Sequence, residues 1–251
     1  CGTLGCRVAE LCLMSGLTNM TLIDGQSFSE ENIFRHILDS CFIGVNKAKA
    51  LQESFLARFP GVSVEAIPKQ VQSIEGLFDN HDVVIVAIGN PTLEREFNLQ
   101  HQDISGDQKT TVITTWLEAG GVGGHAVVAN GQENGCLHCL YHRDNSPTLS
   151  SITSLIEPGQ IVTRNLTGCG GSFVPYGAVH AVKTAAMVIE GVLESSAQAD
   201  SESRKNYRFW FSSVNGNHTH LEMSPWFYES TEAGAEEKIN QILKEGCPVC
   251  R

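Results

Sequence analysis

The order of glycine turn, helix and strand at the start of the chain, continued downstream, constrains its fold more than any other feature. Cys1-Gly2-Thr3-Leu4-Gly5 leads into residues 7–14, whose apolar side chains recur at helical spacing. Gly16 stops that helix, and Met20-Thr-Leu-Ile23 reads as a strand. Further strands are expected at 62–67, 81–88 and 110–116, with helices at 47–59 and 92–100 between them. The stretch from Val83 to Ile88 is continuously apolar, as in a strand covered on both faces. Strands alternating with helices at these spacings predict an α/β fold built on a doubly wound, Rossmann-like parallel sheet. Beyond it come a polar stretch at 143–154, the longest helical pattern at 174–193 and a polar linker at 195–203. Two more strands, 207–214 and 218–223, and a short acidic helix at 235–244 complete the reading, with no internal repeat.

Composition removes several classes of function. With 251 residues, 41% hydrophobic and 18% charged, the chain can bury a sizeable core. Seventeen basic against 28 acidic residues give a net charge of −11 with no basic stripe, which argues against a nucleic-acid partner. No apolar run approaches the roughly 20 residues that span a bilayer, and no secretory signal pattern opens the sequence. The expectation is a soluble, cytoplasmic protein. Nine cysteines, an odd number that includes two Cys-x-x-Cys pairs, point to reduced thiols and a metal rather than a disulfide scaffold.

Gly2 and Gly5 match the second and third glycines of a Gly-x-Gly-x-x-Gly turn, whose first glycine would precede Cys1; the sequence is therefore expected to be part of a longer chain. Such a turn directs backbone N–H groups and a helix N-terminus at phosphate oxygens. Asp24, nineteen residues after Gly5, ends the next strand, where an acid can hold a ribose hydroxyl. A plain tight turn is the alternative. Asn32, Arg35 and Lys47 follow in Glu31-Asn32-Ile-Phe-Arg35 and Gly44-Val-Asn-Lys47-Ala. Two cations and an amide suit a site that stabilises a departing pyrophosphate. Solvated helix charges are the alternative for Arg35 and Lys47.

Cys136-Leu-His-Cys139 and Cys247-Pro-Val-Cys250 offer four thiolates, the ligand set of a tetrahedral structural zinc, although their separation excludes a compact finger. His138 and His142 read as bystanders. Cys169 lies in Thr167-Gly-Cys-Gly-Gly just before the longest helix, an open loop beside a helix N-terminus that favours thiolate. That is the setting of a nucleophile; a small cysteine packed in a turn is the alternative. Cys1, Cys6, Cys12 and Cys41 read as fillers. His125 follows a glycine run and would either assist proton transfer or serve as a structural hydrogen-bonder. His218 and His220 read as structural.

Together, Gly-Thr-Leu-Gly5, Thr-Leu-Ile-Asp24, Glu-Asn32-Ile-Phe-Arg35 and Gly44-Val-Asn-Lys47-Ala resemble the adenylation domain of the ThiF/MoeB and ubiquitin-activating-enzyme superfamily over nearly the whole chain. The resemblance implies one such domain over 1–251, with a zinc knuckle and crossover loop at 136–169. It implies an ATP site in which Gly2, Gly5 and Asp24 hold the nucleotide and Asn32, Arg35 and Lys47 the phosphates. The implied reaction is attack of a protein's C-terminal glycine carboxylate on the α-phosphate of Mg-ATP, followed by capture as a thioester on Cys169. It also implies a split zinc site that returns the tail to the nucleotide domain, and a homodimer. Thr115-Trp-Leu-Glu118 through His125, with the Gly-Cys169-Gly loop, resembles the activating domains of bacterial CBASS antiphage systems. The implied partners are then a ubiquitin-like protein or a cyclic-oligonucleotide synthase, and a ubiquitin-conjugating domain, fused or separate. A sulfur-carrier adenylyltransferase without a thioester, and an inactive scaffold, remain as alternatives. One departure stands out: the family's magnesium-holding aspartate is replaced by Gly89 in Ala87-Ile-Gly-Asn90, leaving Glu94, Glu96, or phosphates and water for the metal.

Overall fold

A computed structural model of the chain describes residues 1–104, 110–130, 135–141, 151–162, 164–165, 172–173, 176–196, 206–212, 221–232, 237–240 and 247–250. In chain order the first half comprises α1 (Thr3–Met14), β1 (Asn19–Ile23), α2 (Lys47–Arg58), β2 (Ser63–Ile67), β3 (Val83–Val86), α3 (Pro91–Asp103) and β4 (Thr111–Leu117). The second half comprises β5 (Gly123–Ala129), β6 (Arg164–Asn165), β7 (Ser172–Phe173), α4 (Ala178–Ser196), β8 (Tyr207–Phe211), α5 (Pro225–Glu232) and β9 (Glu237–Asn240).

The α/β class is as expected, but the sheet is mixed rather than parallel. β1 and β2 form a parallel pair, and a five-stranded sheet runs β3-β4-β5-β8-β9, in which only the β3–β4 pair is parallel. β4–β5, β5–β8 and β8–β9 are all antiparallel. The cause is the connection between β4 and β5. A parallel return needs a long crossover, whereas five residues with Gly120 and Gly121 in left-handed backbone (φ 70° and 68°) turn the chain straight back. Residues 237–240, expected in a helix, pair as β9 with β8. Of the strand expected at 218–223, Met223 makes a single bridge with Ile156, and 218–220 lie outside the described residues. Helix α1 begins at Thr3, so Gly5 sits in its first turn rather than in the loop before it.

α1 buries two stripes. Leu4, Val8 and Cys12, at successive four-residue steps, pack on Ile113, Ala126 and Val128 of the sheet and on Ala185, Val188 and Val192 of α4. Cys6, Ala9 and Leu13 pack on Leu22, Leu51, Phe55 and Val64 of the β1–α2–β2 unit. Each such aliphatic side chain contributes about 1.5–3 kcal/mol on full burial, so the helix that presents the opening glycine turn is clamped from both sides. A third cluster joins Leu137, Leu140 and Leu155 to Tyr207, Phe209 and Phe211 of β8 and Phe227 of α5.

Candidate nucleotide crevice and cysteine cluster

Gly2 caps α1 in extended backbone, and a Cβ placed on it would meet nothing within 4 Å. Gly2 therefore borders open space near the C-terminal ends of β1 and β3, and ligands of α/β sheets bind beyond such strand ends. Asp24 follows β1 directly. Its Oδ1 accepts the Gln26 N–H at 2.8 Å, and its Oδ2 lies 3.0 Å from the Cys1 amino nitrogen, which brings it beneath the glycine turn.

The segment between β1 and α2 is folded back onto the same place. Asn46 caps α2 by accepting from the N–H groups of Ala48 and Lys49, while its Nδ2 donates to the Asp24 carbonyl at 2.7 Å. That locks the start of α2 onto the end of β1 and buries Lys47, whose Nζ donates to Gln26 Oε1 at 2.8 Å. Burial makes the Lys47 ammonium easier to deprotonate than usual; Asp24 counteracts this and Arg35 reinforces it. Asp24, Arg35 and Lys47 thus share one electrostatic neighbourhood. Asn32 is used locally: its Oδ1 accepts from the Ser29 N–H and hydroxyl, closing a capping box around the short 3-10 turn Glu30–Asn32.

His36, which the sequence reading did not single out, joins these parts. Its Nδ1 accepts the Leu38 N–H at 3.2 Å, so the ring proton resides on Nε2, which donates to the Cys1 carbonyl at 2.9 Å. Burial, with the Lys47 charge second, pushes its pKa down to about 4. Its sequence signal was only adjacency to Arg35.

At position 89 the chain turns with Gly89 in left-handed backbone (φ 71°), and Asn90 caps α3 by accepting from Thr92 and Leu93. Of the two glutamates considered for magnesium, Glu96 is exposed and Glu94 is buried, with Oε1 accepting the Gly89 N–H at 2.8 Å. The turn abuts α1, since a Cβ on Gly5 would lie 3.8 Å from Ala87 Cβ.

The four cysteines of the two pairs do converge. Cys136, Cys139, Cys247 and Cys250 are all buried, with their sulfurs within 4.8 Å of one another and Cys139 Sγ 3.4 Å from Cys250 Sγ. Four thiolates 2.3 Å from a tetrahedral zinc would be about 3.8 Å apart. As thiols they are strained company: the Cys139 hydrogen bond and then burial raise the Cys136 pKa, and burial raises that of Cys250. Asn98 of α3 accepts the Leu137 N–H with Oδ1 at 3.0 Å and keeps its buried Nδ2 without an oxygen or nitrogen partner beside the Cys136 thiol, whose pKa it lowers. An amide donor turned towards sulfur, together with the all-thiol donor set, fits a soft divalent cation.

Other candidates separate cleanly. Cys169 and His142 lie outside the described residues, as do His218 and His220. Cys6 and Cys12 are buried with pKa values raised to about 11, as inert core thiols are. His125 is fully buried, stacked on Trp116 and bonded to Tyr207 Oη at 2.8 Å and Glu118 Oε1 at 3.2 Å. That favours the structural reading of the residue.

Residues 1–224 match the ThiF family. The chain belongs to that family. Among relatives of this ThiF-family chain, the ATP-dependent ubiquitin transferase-like protein Cap2 of Vibrio cholerae is 26% identical over 258 residues, covering 100% of this chain and 40% of Cap2. The ubiquitin-like modifier-activating enzyme ATG7 of Cryptococcus neoformans is 30% identical over 107 residues, 34% of this chain and 16% of ATG7. The ThiF-family chain therefore spans two fifths or less of the length of these relatives. Among solved structures, E. coli MccB with ATP superposes with a TM-score of 0.60 at 18% identity, covering all of this chain and 64% of MccB. MccB with succinimide gives 0.63 at 16%, covering 65% of MccB. These establish a shared fold. Among the described residues no helix is long and apolar enough to cross a membrane.

Proposed function

We propose that this chain is an ATP-dependent adenylating enzyme of the ubiquitin-activating type. The reading rests on Asp24, Arg35 and Lys47 acting on one another electrostatically in a ThiF-family fold, with Asp24 Oδ2 3.0 Å from the Cys1 amino nitrogen next to Gly2; we take this neighbourhood as the nucleotide crevice. In it the N–H groups at the start of α1, around Gly2 and Gly5, face the phosphates, and Asp24 accepts from ribose hydroxyls. The carboxylate oxygen of a partner's C-terminal glycine attacks the α-phosphorus; the bond to the pyrophosphate oxygen breaks, giving an acyl-adenylate and pyrophosphate. Lys47 and Arg35 stabilise the charge that develops on the departing pyrophosphate, and Asn32 holds the turn that presents Arg35. Magnesium would enter with the nucleotide, whose phosphates and water supply most of its ligands.

In the next step the Cys169 thiolate attacks the acyl carbonyl and AMP leaves, so that a thioester carries the acyl group towards a conjugating cysteine. That step, a bacterial antiphage role and a partner that is a ubiquitin-like protein or a cyclic-oligonucleotide synthase rest on the sequence motifs around Cys169 and His125; the likeness to Cap2, an ATP-dependent ubiquitin transferase-like protein, supports the ubiquitin-activating type in general. A homodimer in the cytoplasm is part of the same reading. Zinc on Cys136, Cys139, Cys247 and Cys250 would supply a structural cross-link between the tail and the 136–139 turn that follows β5. Superposition on MccB, which was solved with ATP and with peptide MccA, favours a second reading in which adenylation occurs without Cys169, as in a sulfur-carrier adenylyltransferase.

ATP–pyrophosphate exchange with a protein ending in a free glycine tests the proposal. Exchange that persists in Cys169→Ala and is lost in Lys47→Ala is expected; a thiol-labile conjugate present in wild type and absent from Cys169→Ala separates the two readings. Absence of exchange in every variant makes the chain a scaffold.

A further inference from the structure

Gly89 stands where the family resemblance implies an aspartate, and the turn that contains it holds a carboxylate from another direction. Glu94, in the first turn of α3, folds back and accepts the Gly89 N–H, with the Asn90 and Ile88 amides beside it. Only 3% of Glu94 is exposed. A buried carboxyl is costly unless hydrogen-bonded, and burial here pushes it up to about 7 against the pull of those amides. An apolar side chain of the same length would fill the volume at less cost, so packing does not account for a glutamate.

We propose that, granted the adenylating function above, Glu94 is a positioning residue that holds the 88–90 turn through the Gly89 N–H so that the turn shapes the nucleotide crevice without ligating metal. One contact sets that turn against the start of α1, and the rest bear on its surroundings and support. Ala87 lies against Gly5 of α1. Cβ atoms placed on Gly2 and on Gly89 would both meet nothing within 4 Å, so both face open space. Position 89 cannot readily take the role itself, because a side chain at φ 71° is strained even where there is room. α3, from which Glu94 projects, is in turn fixed one turn later by Asn98 on the Leu137 N–H and by Arg95 over the Tyr141 ring at 5.2 Å. Glu94 therefore reaches the turn from a braced helix. Its Oε1 is engaged by a backbone donor of the turn, which is the contact a supporting role requires.

Glu94→Met and Glu94→Gln test this, because both fill the volume of glutamate and only glutamine retains an acceptor for the Gly89 N–H. Dissociation constants for ATP are measured by calorimetry on the full chain, with magnesium and with EDTA, alongside urea unfolding. Glu94→Met is expected to weaken binding roughly tenfold in both conditions, the scale of one hydrogen bond to a charged group. Glu94→Gln is expected to stay within about twofold, with an unchanged magnesium half-saturation point. Wild-type affinity in Glu94→Met overturns the proposal. A rise in the magnesium half-saturation point in Glu94→Gln overturns it differently, by making Glu94 a ligand. A wild-type chain that binds no ATP overturns the nucleotide reading itself, a result distinct from either variant's behaviour.

Discussion

His36 offers a quantitative check on how the crevice is assembled. Its ring packs at 5.0 Å from Phe28, bridges the Leu38 N–H and the Cys1 carbonyl, and is neutral when folded. Its pKa falls from an ordinary 6.5 to about 4 on folding. Between those values the unfolded chain binds a proton that the folded chain does not, so stability rises with pH through the window and is lost as pH falls from 6.5 towards 4. At 1.36 kcal/mol per pH unit the loss amounts to about 3 kcal/mol. Glu94 acts in the opposite sense: its folded pKa of about 7 lies above the ordinary 4.5, so its contribution falls as pH rises through that range. His36 and Glu94 therefore oppose each other between pH 4.5 and 6.5, and the difference from a variant isolates His36. In His36→Gln one ring hydrogen bond and the tilted ring contact with Phe28 are lost, costing about 1–2 kcal/mol at pH 7.5, while the titration disappears. Urea unfolding from pH 4.5 to 7.5 is expected to show wild type the more stable at pH 7.5 and the two curves crossing between about pH 5 and 6. A stability difference independent of pH refutes the argument that His36 is held neutral beneath Lys47.

Other consequences follow from close approaches. Cys139→Ser is expected to lower bound zinc, measured by metal analysis, from about one per chain to a small fraction, with a lower melting temperature that chelation of wild type reproduces. In Gly123→Ala the new Cβ would lie 2.1 Å from Leu155 Cδ1 and 2.5 Å from the Trp210 carbonyl, and the backbone partner cannot move aside. Thermal unfolding should register about 3 kcal/mol of destabilisation. Gly2→Ala meets nothing within 4 Å and should leave stability within about 0.5 kcal/mol, yet weaken ATP binding where phosphates approach the backbone.

Legibility of the fold in the sequence tracked physical cause. α1, α2, α3 and strands β1 to β4 carry caps, stop signals and apolar runs that pattern reading detects, as with Asn46 before α2 and Asn90-Pro91 before α3. β5 was missed because Gly123 and Gly124 open it. These glycines are present because Trp210, Leu155 and Thr184 approach too closely for a Cβ, a tertiary demand that looks like a loop in the sequence. The antiparallel course of β5, β8 and β9 was likewise hidden, since strand direction is set by the turn at Gly120 and Gly121 and not by strand composition. β9 reads as a helix in the sequence because its short, charged segment has no clear alternation of its own; pairing with β8 decides it. The four cysteines were legible because a metal needs that donor set whatever the spacing, and the structure brings them together. His36 and Glu94 were harder. Each acts on backbone groups distant from, or turned back along, the chain, and a lone His or Glu in a sequence carries no sign of the amide it meets.

The central claim is that a carboxylate oxygen of the partner becomes bonded to the α-phosphorus of ATP in the Lys47 crevice. A partner labelled with oxygen-18 in its C-terminal carboxylate tests this most directly. After reaction and acyl transfer, mass spectrometry should find AMP carrying one oxygen-18, with unlabelled pyrophosphate and no label in AMP from Lys47→Ala. Products of ADP and labelled inorganic phosphate, or AMP without label, would contradict adenylation at this site.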